Sequence, residues 1–108
     1  MALSILEQIK SGRVEIPSFT IEHILPDSQN RDNAIIGNLM PLEENLNGLC
    51  DDKPLNDKIQ IYDRSCFMTA RNLANWYRDN VDNFKAETRT NVMAEELYNE
   101  VDRIVNAI

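Results

Sequence analysis

Apolar residues recur at two different spacings along this chain, and the change of spacing divides it. In LSILEQIK, Leu3, Leu6 and Ile9 share one face of a short helix that Gly12 stops. VEIPSFTIEHI reads differently. Val14, Ile16, Phe19, Ile21 and Ile24 are β-formers, and Pro17 marks a bend or an edge position, so a strand is predicted. PDSQNRDN is a polar loop of turn residues. IIGNLMPL predicts a second short strand, with Gly37-Asn38 able to supply a turn or bulge; on a plain reading Asn38 would be a left-handed turn residue after Gly37. The two strands would pair as one antiparallel hairpin.

After Leu42 the period becomes helical. EENLNGL predicts a short helix ended by Gly48, with DDKP as the loop that follows. Asn56 would cap DKIQIY, and Thr69 would cap ARNLANWY. From Asn83 one long helix is predicted. Met93, Leu97, Val101, Ile104 and Ile108 form its apolar stripe, suited to a core or an inter-domain seam. The expected fold is α+β and mostly helical, in one domain. Residues 1–13 would be a linker or the tail of an upstream helix, 14–65 the core and 66–108 a helical extension, the whole a piece of a larger protein.

Composition narrows the function classes. The 108 residues are 43% hydrophobic and 27% charged, which suits a globular chain, and no apolar run approaches the ~20 residues of a membrane span. MALSILEQIK has neither a basic n-region nor a small-residue cleavage site, so a cytoplasmic location is expected. Cys50 and Cys66 form no CxxC pair, and with one histidine they cannot build a zinc knuckle. Both are expected to be reduced and buried. The net charge is −7. Residues 79–108 hold seven acids and three bases, a net of −4, and residues 1–78 hold eleven acids and eight bases, a net of −3. A surface that neutralises phosphates needs Lys and Arg. Any such surface is therefore expected outside the C-terminal segment, drawn from Lys53, Lys58, Arg64 and Arg71.

The one histidine, His23, ends the first predicted strand with Glu22 beside it. Asn38 follows fifteen positions on and Asn47 a further nine, on the next helix. Strand, loop, strand, helix with these residues is the layout of a ββα-metal (HNH, or His-Me finger) nuclease site. Phosphodiester hydrolysis needs a base to activate water, which an imidazole can be, and a hard cation to stabilise the phosphate and the leaving oxygen. Mg²⁺ takes few protein ligands, mostly oxygens, so Glu22 and Asn47 would suffice. Adjacent strand residues face opposite ways, so the strand must end or twist for Glu22 and His23 to share a site.

IEHILP, then IGNLMPLEENLN, then DKIQIYDRS together resemble the HNH nuclease domain at the C-terminus of GmrSD-type restriction endonucleases. The resemblance runs from Phe19 to Ser65 and continues more weakly through LANWYRDNV and AETRTNVMAEEL. It implies His23 as general base, Asn38 orienting the His23 ring or its backbone, and Glu22 and Asn47 holding Mg²⁺, for which Mn²⁺ can substitute. Lys58 and Tyr62 would support the site or lie near the phosphate, with Arg64 as a further phosphate contact. The implied partners are DNA and an NTP-using N-terminal domain of the same larger protein, in restriction or phage defence. Two departures stand out: MPL replaces the family's more usual polar-apolar run, and the charge is unusually negative for a domain that cuts DNA.

Other readings compete for the same residues. Asn45 rivals Asn47 as ligand, and Asn47 before Gly48 would serve as a helix C-cap. Lys58 and Arg64 would, on a plain reading, lie on a solvated face, and Trp76 and Tyr77 in the core. For the whole chain the rivals are an inactive HNH-fold module that binds DNA or protein, and a helical scaffold in which His23 is structural.

Overall fold

The computed structural model describes residues 2–26 and 35–107. Beyond Pro26, the expected polar loop lies outside the described residues, as does Ile108 of the C-terminal stripe. The described chain is α+β and mostly helical. Helix α1 (Ala2–Ser11) is followed by strands β1 (Thr20–His23) and β2 (Leu39–Leu42), then α2 (Glu44–Cys50), α3 (Leu55–Tyr62), α4 (Met68–Asp79) and α5 (Ala86–Asn106). The strands pair antiparallel with Glu22 opposite Met40 and His23 opposite Leu39.

The first strand is shorter than expected, because residues 14–19 are irregular and only Thr20–His23 find partners. The second is shorter too. Ile36–Asn38 form a 3-10 turn rather than a left-handed turn at Asn38. Gly37 is required there by close approach. A Cβ on it would lie 1.9 Å from the Ala86 carbonyl oxygen and 2.2 Å from Thr90 Oγ1, both on α5.

One face of the hairpin packs on the main core with α2, α3 and α4, where Met40, Leu42, Tyr62 and Phe67 are fully buried. Its other face meets a smaller cluster, Leu3 and Leu6 of α1 with Met93 of α5, against which Leu39 packs. So α1 is part of the fold. Its Glu7, fully buried, accepts the Met68 and Thr69 N–H groups at 2.9 Å each. That carboxylate caps α4 from another helix, which is why Thr69 lies inside α4 instead of capping it. Asn56 is likewise inside α3, whose preceding residue is Pro54, and its Oδ1 accepts the Tyr77 hydroxyl at 2.7 Å.

Gly48 does not end α2, which runs on to Cys50 and stops at Asp51 with a positive φ of 45°. The long helix starts three residues later than predicted, at Ala86. Met93 is buried and Leu97 partly so, but Val101 and Ile104 are exposed. Trp76, expected in the core, is 43% exposed, whereas Tyr77 is buried.

Candidate active site

His23 ends β1, half-buried, on the wall of a cleft of about 540 Å³. Glu22, Asn47, Thr20, Pro26, Glu44, Gly48, Asp51 and Asp52 complete the lining. Because the strand stops at His23, two adjacent residues reach one cleft despite the alternation of a regular strand. The arrangement brings Glu22, His23 and Asn47 together, 25 positions apart in sequence at the extremes.

Each is held by identifiable bonds. Asn47 sits mid-helix, so its side chain does not cap α2. Its Nδ2 donates to Thr20 Oγ1 at 2.8 Å and to the Ile21 carbonyl at 3.1 Å. With the amide nitrogen committed to β1, Oδ1 has no protein donor among the described residues, and an amide oxygen is a ligand hard cations accept. Asn45 is exposed and is not part of the lining.

Glu22 is 2% exposed. Its Oε2 accepts the Tyr62 hydroxyl at 2.6 Å and pairs with Lys58 Nζ at 3.1 Å. A buried carboxylate without such partners would be strongly unfavourable. Burial, with the charge of Glu22 beside it, pushes the Tyr62 phenol well above its ordinary pKa, so it remains a donor. Lys58 Nζ also donates to the His23 carbonyl at 2.7 Å. One buried ammonium therefore holds both residues. Lys58 has no exposed surface, which overturns its assignment to a solvated face and removes it from the expected basic patch.

Asn38, fully buried, fixes the two residues after His23. Its backbone carbonyl accepts the Ile24 N–H at 2.8 Å, its Oδ1 accepts the Leu25 N–H at 2.8 Å, and its Nδ2 donates to the Leu25 carbonyl at 2.9 Å. These bonds reach the backbone of Ile24 and Leu25, the residues that follow His23. Arg64 is exposed and outside the cleft lining.

Cys50, one turn beyond Asn47, is buried, and burial with the nearby charge of Glu22 pushes its thiol up to about 12. It stays a neutral thiol rather than a thiolate ligand, and it is not part of the cleft lining. Cys66 is only partly buried. Among the described residues, no three His, Cys, Asp or Glu side chains gather into a metal-holding group. The donor set at the cleft is oxygen-rich and small, which fits a hard cation that keeps several waters.

Sequence reasoning missed Glu44, Asp51 and Asp52. The signal was present: Glu44 and Asp51 lie three before and four after Asn47, the spacing that shares a helix face. Four carboxylates thus border the cleft, and no Lys or Arg belongs to the described lining. Such a field attracts a cation and repels a phosphate.

No curated protein and no solved structure matched the chain. A family model described as GmrSD restriction endonucleases, C-terminal domain, matches residues 3–96, from α1 through the first half of α5. That span includes the whole described cleft and is well over half of the sequence. The chain belongs to the family of C-terminal domains of GmrSD restriction endonucleases.

Proposed function

We propose that this domain is the cutting module of a restriction or phage-defence enzyme, an HNH-type endonuclease that hydrolyses or nicks DNA with Mg²⁺. The observation that carries the proposal is the convergence of Glu22, His23 and Asn47 on one cleft, with Asn38 clamping the backbone that follows His23. Two paired strands and the helix that follows them supply these residues, as in a ββα-metal core.

In this reading His23 takes the proton from a water molecule that attacks phosphorus. Lys58 and Asn38 hold its backbone so that the ring keeps one direction. Glu22 and the Asn47 amide oxygen would hold the cation. When bound, Mg²⁺ or Mn²⁺ supplies positive charge against the phosphate and the leaving oxygen. Tyr62 and Lys58 act from beneath, keeping the Glu22 carboxylate in place.

The acidity of the cleft bears on delivery. With a net charge of −7 and Lys58 buried, few cations remain for phosphates. The isolated chain should bind DNA with a Kd of order 10⁻⁴ M or weaker at physiological salt. An NTP-using N-terminal domain of the same cytoplasmic protein would bring the DNA. The same acidity favours one rival, an HNH-fold interaction module without catalysis.

Plasmid nicking tests the reading. The intact chain at low salt with Mg²⁺ should nick slowly, the full-length enzyme faster, and His23→Ala in either should stop nicking while Mn²⁺ still binds. Wild-type nicking by His23→Ala refutes the base. Metal binding without any nicking, in the full-length enzyme, supports the interaction module instead.

A further inference from the structure

The first turns of α5 lie against the 3-10 turn that carries Asn38, too close for a side chain on Gly37. The contact is polar as well as tight. Gly37 N–H donates to Thr90 Oγ1 at 2.8 Å. Arg89 Nη1 donates to the Gly37 carbonyl at 2.9 Å and to the Leu39 carbonyl at 2.8 Å. Those two carbonyls flank Asn38. One guanidinium nitrogen, with its two hydrogens, therefore closes a clamp around the residue that in turn anchors Ile24 and Leu25. Burial lowers the Arg89 pKa to about 10, so the group stays charged at neutral pH and its bonds are charge-assisted.

We propose that Arg89 is a positioning residue for the His23 site: by clamping the carbonyls on both sides of Asn38, it holds the backbone that aims the imidazole into the cleft. The proposal rests on the reading of His23 as the base. It extends that reading to a helix that contributes nothing to the described cleft lining. The path is continuous: α5 holds Gly37 and Leu39, Asn38 between them holds Ile24 and Leu25, and His23 precedes both. Lys58 fixes His23 from its own carbonyl, so the strand end is anchored on both sides. Loss of Arg89 would leave Gly37 and Leu39 without these donors and let the turn move against α5.

The test uses the whole chain and four variants. Arg89→Met keeps the apolar stem and removes the donors. Arg89→Lys restores an ammonium able to donate to both carbonyls. Thr90→Val removes the acceptor for Gly37. Leu97→Ala, on the same helix and packed on the second cluster, reports plain loss of α5 packing. Amide hydrogen exchange of Ile24 and Leu25 is measured beside that of Ala74 in α4, together with the nicking rate and KM for plasmid.

Arg89→Met should speed exchange at Ile24 and Leu25 by about tenfold more than at Ala74, the equilibrium factor of a lost hydrogen bond. It should lower kcat without raising KM. Arg89→Lys should recover much of both effects. Leu97→Ala should change all three amides alike. Equal acceleration at Ile24, Leu25 and Ala74 in Arg89→Met overturns the clamp. Should that variant not fold, Thr90→Val gives the same reading, with local acceleration expected and uniform or absent acceleration refuting it. Wild-type nicking by His23→Ala, by contrast, removes the catalytic reading and leaves the exchange result to judge the clamp alone.

Discussion

Replacing Lys58 with methionine keeps most of the side-chain volume and removes the one buried ammonium that touches both Glu22 and His23. Lys58 is 0% exposed and Glu22 2%. Breaking a buried pair by deleting one partner costs about 3–5 kcal/mol, because the remaining charge is left in a low dielectric. The His23 carbonyl also loses its 2.7 Å donor. The Tyr62 hydroxyl stays on Glu22 and offsets part of the loss. Lys58→Met should therefore destabilise the domain by about 4 kcal/mol, a large share of the ~5–15 kcal/mol typical of a whole domain. That corresponds to a fall in Tm of about 15–25 °C. Glu22→Gln in the same chain removes the stranded charge and keeps an acceptor for Tyr62. The double variant should recover to within about 1 kcal/mol of the native protein, since apolar or neutral replacement of a whole buried pair is often near neutral. Urea titration followed by circular dichroism, with the slope checked for constancy, measures all four corners of the cycle. A Lys58→Met cost below about 1 kcal/mol, or a double variant weaker than the single one, would show that the pair is not the buried, coupled unit described.

Three further outcomes follow from other parts of the molecule. Asn47→Ala should weaken Mn²⁺ binding by about tenfold, the value of roughly one ligand bond, while Asn45→Ala on the exposed side leaves it unchanged; isothermal titration decides, and the reverse order moves the ligand to Asn45. Gly37→Ala should cost about 3 kcal/mol or more in urea denaturation, since its methyl would meet the α5 backbone at 1.9 Å, and a neutral result would mean that α5 does not sit on the turn. Burial raises the Glu43 pKa, but hydrogen bonds from the Ser65 hydroxyl and the Cys66 N–H outweigh it and hold the carboxyl below 4.5. A depressed folded pKa gives stability that is complete above the unfolded value and lost as pH falls through the folded one. Glu43→Gln should therefore be less stable than the native chain above pH 4.5, with the gap closing on further acidification; a gap independent of pH contradicts the assignment.

Periodicity located the helices because each has a face to bury, and the hairpin because its β-formers flank a polar loop. It could not say how far each element runs. Residues 14–19 have strand-like chemistry, yet β2 offers partners only from Thr20 to His23. The α5 stripe is regular through Ile104, but α1 and the hairpin cover it only near Met93 and Leu97. Caps were misassigned where a tertiary partner took the role, as Glu7 does for α4. Lys58 shows the same limit at the site. A lysine in DKIQIY looks solvated until the Glu22 carboxylate, 36 positions earlier, is seen against it. The convergence of Glu22, His23 and Asn47 on one cleft was legible in their types and spacing. Glu44 and Asp51 carried a spacing signal around Asn47 that went unused, and Asp52 became visible only once α2 was set beside the strand end.

The central claim is that the cleft beside His23 holds a catalytic divalent cation. A crystal of the domain soaked in Mn²⁺, measured at the manganese edge, tests it most directly. The account predicts one anomalous peak in the cleft, bonded to a Glu22 carboxylate oxygen and to Asn47 Oδ1 at about 2.0–2.2 Å, with waters completing six ligands and the His23 ring facing one of them. A peak bound elsewhere, or a cleft without one at saturating Mn²⁺, would contradict it.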